Sequence, residues 1–196
     1  MELYEAIEKR RTIRIFKKGA SEEQLRKIIL AGSKAPSAVN RQPWEFVIVE
    51  DQEIIDQLAE LKYQLNRKPD PDRGLKTDEE LEKEALAQKK FFENASIVAV
   101  CNEREWERSV WLSIAHMSLA AVAEGLGSGI VLLWGEEREM AGELLGLPTN
   151  YELTALMKFG EPGEEEGYTR DKNPWRIGRR PEFSWLHKNR FQRKTE

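Results

Sequence analysis

Ser96-Ile97-Val98-Ala99-Val100-Cys101 is a short run of small and β-branched residues of strand length, with no charged side chain in it. Apolar residues fall on both faces of such a strand, so both must be covered, which predicts a central strand. Downstream, Val110, Ile114, Met117 and Ala121 recur at helical spacing within 106–124, a long helix apolar on more than one side and therefore expected to be buried. Gly125-Leu126-Gly127-Ser128-Gly129 should break it, with Ile130 to Leu133 extended, a helix from about Glu136 to Leu145, and a last strand from Leu153 to Phe159. Upstream, Trp44 to Val49 is aromatic and β-branched after Pro43 and reads as a strand, after which Asp51 caps a helix carrying Ile54, Leu58 and Leu61. Two capping boxes, Ser21 with Gln24 and Thr77 with Glu80, predict further helices, the first stopping at Gly32. Leu3, Ala6 and Ile7 form the apolar side of a short opening helix, and Asn66 to Thr77 has the Pro, Asp and Gly chemistry of a surface loop.

After Gly160 the periodicity is lost, which divides the chain into a core over 1–160 and a C-terminal arm over 161–196 that must lie on something. The 196 residues suit one domain, and a hydrophobic fraction of 40% places the chain outside disordered compositions. Lys plus Arg is 31 against 35 Asp plus Glu, and the resulting net charge of −4 argues against a general nucleic-acid or anionic-membrane binder. The apolar runs are shorter than a membrane span, and the opening MELYEAIEKRRTIRIF mixes charge through its apolar residues, so neither membrane insertion nor a signal peptide is expected. A lone Cys101 builds no intramolecular disulfide, and His116 and His187 lack zinc spacing, so the expectation is a cytoplasmic protein without a metal. Trp106, Trp111, Trp134, Trp175 and Trp185 read as packing residues.

Arg10, Arg11 and Arg14 place three guanidinium groups around the hydroxyl of Thr12 as the first helix ends. Such a set suits a phosphate, and it equally suits a basic helix end satisfied by the macrodipole. The stretch from Ala35 to Trp44 mixes two prolines with Ser37, Asn40 and Gln42, able to clasp a polar aromatic ring or simply to cap a helix-to-strand turn. The glycine segment is no dinucleotide fingerprint, because Ile130 stands at the third glycine position and the segment follows a helix. It is no nucleophile elbow either, and no Walker loop or HExxH motif occurs. Arg176, Arg179 and Arg180 ahead of Pro181 could complete an anion site or pair with Glu164, Glu165 and Glu166.

In order along the chain, R-R-T-I-R-x-F, A-P-S-A-x-N-x-Q-P-W, G-L-G-S-G and R-R-P resemble the nitroreductase family of FMN-dependent oxidoreductases. The resemblance implies an α+β three-layer sandwich, a mixed central sheet flanked by helices, in an intertwined homodimer with two FMN sites at the interface and the arm wrapped on the partner. It implies a phosphate grip from Arg10, Thr12 and Arg179 or Arg180, with Arg11 at the same end and Arg14 at the pyrimidine edge of the flavin. Pro36, Ser37 and Ala38 would be laid against the ring by the other protomer, Asn40 and Gln42 holding that loop or touching the flavin. Val131, Leu132 and Leu133 match the stretch whose backbone lies beside the reactive edge. Thr12 stands for a commoner Ser, Ala38 lacks a hydroxyl often found there, and Leu132-Leu133 replaces Glu-Gly.

The implied activity is a ping-pong cycle in which NADH or NADPH gives a hydride to the flavin and a nitroaromatic, quinone or activated alkene takes it away. The cofactor carries the chemistry, so no side-chain nucleophile or base is needed. The rivals are a flavin enzyme of the same fold doing reductive dehalogenation or flavin fragmentation, a non-catalytic FMN-binding protein, and a structural dimer without cofactor.

Overall fold

The computed structural model describes residues 1–69, 76–163, 181 and 183–191. The chain divides into two units, Met1–Glu164 and Glu165–Glu196.

The first unit is organised by the strand expected from its covered faces, β3 (Ser96–Glu103), which lies between β2 (Trp44–Val49) and β5 (Tyr151–Pro162). Its side chains alternate between two cores. Val98 and Val100 join Leu25 and Ile28 of α2 (Glu22–Ser33) and Val110, Ile114 and Met117 of α5 (Glu107–Ala123). Ile97, Ala99 and Cys101 join Leu58, Leu61 and Leu65 of α3 (Gln52–Arg67) and Ala141 of α6 (Gly135–Leu144). Helices therefore cover both faces of the sheet, and the architecture is an α+β sandwich. A register shift opposite Val100 and Cys101 leaves Thr154 as the extra residue of β5, which is why Leu153 and Leu156 fall on the same face.

β5 also carries β4 (Gly127–Val131) on its other edge and β1 (Phe16–Gly19) at its far end, where Gly19 faces Gly160 just beyond the Ser96–Phe159 pair. Among the described residues the named strands all pair antiparallel, and an isolated parallel bridge outside them joins Thr12 to Ser128. The opening helix α1 (Leu3–Lys9) buries only Ala6, leaving Leu3 and Ile7 exposed. Both capping boxes form, at the head of α2 and of α4 (Asp78–Lys90), each worth about 1 kcal/mol.

Four expectations need correction. Gly32 does not stop α2, which runs on through Ser33; a Cβ at Gly32 would lie 2.6 Å from Met117 Cγ, so this glycine serves the close approach of α2 to α5. The glycine segment does not merely break α5: Gly125, at φ +76°, ends it, but Gly127 already begins β4. Asn66 and Arg67 belong to α3 rather than to the loop, whose residues 70–75 lie outside the described residues. Trp134 and Trp185, 43% and 51% exposed, are not packed in a core, although the Trp185 ring centroid lies 5.9 Å from that of Phe183, and Trp175 lies outside the described residues.

Two glycines give opposite expectations for the same substitution. A Cβ at Gly129 would lie 2.4 Å from the carbonyl oxygen of Ile13, whereas at Gly142, inside α6, its nearest neighbour would be Leu147 Cδ1 at 3.7 Å. In urea titrations Gly129→Ala should lose about 1–3 kcal/mol to overpacking. Gly142→Ala should gain up to about 1 kcal/mol of helix propensity. Equal effects of the two substitutions would contradict this packing.

Candidate functional site

Residues 10–13 are extended and fastened to the outer edge of β4. The Ile13 N–H donates to the Ser128 carbonyl at 2.9 Å, beside the Thr12–Ser128 bridge. The contact requires glycine beneath it, since a Cβ at Gly127 would meet Ile13 Cγ1 at 2.5 Å and one at Gly129 would meet the Ile13 carbonyl. Arg10 and Thr12, two apart on an extended run, share a side. Arg10 and Arg14 are half-buried and Thr12 is exposed. Arg11 is used differently: its guanidinium donates to the Arg10 carbonyl at 2.8 Å and to the Glu8 carbonyl, closing the C-terminus of α1.

Val131 ends β4 and Leu132 and Leu133 follow it, about 10 Å along the chain from Ser128. Val131 and Leu133 are buried, whereas Ile130, Leu132 and Trp134 are exposed, so alternation presents an apolar ridge to solvent. The structure thus brings the basic segment and the Val131–Leu133 stretch onto one edge strand.

The Pro36–Gln42 loop lies elsewhere. Ala38–Asn40 forms a 3-10 turn with left-handed φ at Val39 (+49°) and Asn40 (+55°), and Gln42 follows at +52°. For a β-branched residue that is 90% exposed, the Val39 conformation carries strain that its own packing does not offset. The loop is held by its neighbours. Ser37 Oγ accepts from the Gln42 N–H at 2.9 Å, the Gln42 side-chain amide donates to the Asn40 carbonyl at 3.3 Å, and the Ala38 N–H reaches Ser109 Oγ at 3.5 Å. Arg41 donates to both carboxylate oxygens of Glu103, at 2.8 and 2.5 Å, and lies 5.0 Å from the Trp106 ring. These bonds from Arg41 hold the Glu103 carboxyl below its usual range. Arg41 and Glu103 were not among the residues the sequence singles out, because their partnership spans the loop and the end of β3.

The loop touches α5 at Ser109, whereas β4 begins past the other end of that helix, and α5 rises about 18 Å between Ser109 and Ala121. The chain therefore holds the loop and the basic segment at opposite ends of α5. Arg179 and Arg180 lie outside the described residues. Two cavities, of about 360 Å³ beside Arg104, Arg138 and Glu152 and about 840 Å³ beside Asp56, Lys89 and Phe92, lie away from all these residues. Burial pushes the Cys101 thiol up to about 12, so it is no nucleophile at neutral pH. Among the described residues no cluster of His, Cys, Asp and Glu could hold a metal ion, and no helix is long and apolar enough to cross a membrane.

Residues 7–161 match the Nitroreductase family. An NADH dehydrogenase of Thermus thermophilus is 31% identical over 185 residues, covering 85% of this chain and 89% of that protein. An iodotyrosine deiodinase of Thermotoga neapolitana is 30% identical over 168 residues, covering 83% of this chain and 89% of that protein. The crystal structure of an oxidized iodotyrosine deiodinase bound to FMN and 3-iodo-L-tyrosine superposes with a TM-score of 0.70 at 27% identity, over 91% of this chain and 100% of that one. With more than half of its length matched, the chain belongs to the nitroreductase family of enzymes.

Proposed function

We propose that the protein is an FMN-dependent oxidoreductase that works as a homodimer, taking a hydride from NADH or NADPH and passing it to a nitroaromatic, quinone or activated alkene. The observation that carries the reading is the segment bearing the guanidinium and hydroxyl groups, fastened at Thr12 and Ile13 to β4, the strand that runs on into the apolar ridge. That donor set fits FMN, whose phosphate needs charge-assisted donors at one end and whose ring needs an apolar surface at the other. FMN, when bound, supplies the hydride-accepting and hydride-donating chemistry.

The chain's own residues then have separable tasks. Arg10 and Thr12, joined by Arg179 or Arg180, hold the phosphate, and Arg11 keeps the end of α1 closed beside them. Arg14 sets a cation where negative charge develops at the pyrimidine edge. Val131, Leu132 and Leu133 border the ring and exclude water from it. Pro36, Ser37 and Ala38, braced by Asn40 and Gln42, come from the second copy, a reading supported by the length of α5 between the two motifs. The exposed Leu3, Tyr4 and Ile7 of α1 supply apolar surface for such a partner. A second reading, reductive dehalogenation, is favoured by the likeness to two iodotyrosine deiodinases.

The test is anaerobic mixing of the flavin-loaded protein with NADH and with NADPH, followed by menadione, a nitrofuran or 3-iodo-L-tyrosine. Bleaching of the visible flavin band by at least one nicotinamide and its return with the quinone or nitrofuran is the expected result. Iodide release from 3-iodo-L-tyrosine would establish the second reading, and a flavin that stays oxidised with both nicotinamides would leave a non-catalytic binder. Arg10→Glu should abolish FMN binding, because it sets an acid against the phosphate and removes a donor. Flavin absorbance per protein checks this, and an undiminished ratio would place the phosphate elsewhere.

A further inference from the structure

Lys62 is 6% exposed on α3, among the buried residues Leu58, Leu61 and Leu65, a place where lysine is rarely found without a bonding role. Its Nζ donates to the Leu132 carbonyl at 3.1 Å and lies 4.9 Å from the centroid of the Trp134 ring. Both contacts cross from the helix to the segment that leaves β4, so one ammonium fixes two features of that segment.

The first is the peptide between Leu132 and Leu133. A trans peptide is planar, so turning the Leu132 carbonyl toward Lys62 turns the Leu133 N–H the opposite way, away from α3. The second is the Trp134 ring. Trp134 is extended, at φ −143° and ψ 167°, and continues the alternation of Ile130 and Leu132, so an exposed indole ends the ridge with a cation against it.

We infer that Lys62 is a positioning residue, presetting the Leu132–Leu133 peptide and the Trp134 ring as one wall of the acceptor site. The inference rests on the proposed flavin site, which places Val131–Leu133 at the ring. Ile130, Leu132 and Trp134 offer apolar area on which a flat ring can stack, with the Lys62 ammonium held against the Trp134 ring.

The test compares Lys62→Met, Lys62→Arg and Trp134→Ala with the native dimer, in flavin-loaded form. Lys62→Met keeps the aliphatic stem and removes both the donor and the charge. It should raise KM for menadione roughly tenfold, the scale of one charge-assisted hydrogen bond, with a smaller change in kcat. It should also shift the visible FMN spectrum while the apoprotein melts within a few degrees of native, and Lys62→Arg should recover most of the loss. Unchanged KM and spectrum in Lys62→Met would overturn the inference. Should Lys62→Met fail to fold, Trp134→Ala decides, because the indole is half exposed. A raised KM for menadione at native melting temperature supports the wall, and a native KM overturns it. Native protein that binds no FMN would sink the flavin site and this inference together. FMN bound by native protein and lost in Arg10→Glu, with native behaviour of the Lys62 and Trp134 variants, would sink this inference alone.

Discussion

The absence of a side chain at Gly127 and Gly129 is the constraint from which the candidate site follows. Only bare backbone lets Ile13 lie flat on β4, with its N–H on the Ser128 carbonyl and its own carbonyl over Gly129. That contact fixes where the chain goes after α1, and so where Arg10, Thr12 and Arg14 stand relative to the residues at the far end of β4. Gly160 repeats the device on β5, where a Cβ would lie 2.4 Å from the Lys18 carbonyl, so β1 too depends on a glycine for its approach. Close backbone contact of this kind tolerates little movement, as the proposed flavin site would require.

The second determinant is the buried helix α5. It fills one core, brings Ser109 under the strained loop at one end and delivers the chain to β4 at the other. Its length keeps the two motif regions of the chain apart, which is the observation behind the proposal that a second copy completes the site. Strain in the Val39–Gln42 loop is offset by Arg41 on Glu103 and by Ser37, groups that leave the loop tip itself exposed. A loop braced from behind and bare in front keeps its conformation without contacts at its tip.

Much of this was legible in the sequence where a local rule sufficed. The covered strand, the two capping boxes, Asp51 ahead of α3 and the long apolar helix each carry their cause within a few residues, and each appears where the pattern puts it. What local rules missed depends on contacts distant in sequence. Gly32 looks like a helix stop until Met117 is found where its Cβ would be. The glycine segment looks like a breaker because its partner, Ile13, lies more than a hundred residues earlier. Lys62 and Lys158 carry no sequence signal of burial. Lys158 is 2% exposed on β5, donates to the Phe91 carbonyl at 2.6 Å and lies near the Phe16, Phe91 and Phe92 rings, a role visible only once the turn after α4 is folded onto the sheet. Of the site, the basic segment and the loop were legible as motifs; that they sit at opposite ends of α5 was not.

The central claim is that the segment fastened to the glycine strand binds a phosphate. The most direct measurement is a fluorescence titration of the apoprotein with FMN and with riboflavin, which share the ring and differ in the phosphate. Charge-assisted bonds from Arg10 and Thr12 should make FMN bind about 100-fold more tightly or better. Equal affinity for the two flavins would show that the phosphate makes no net contribution, and would contradict the account.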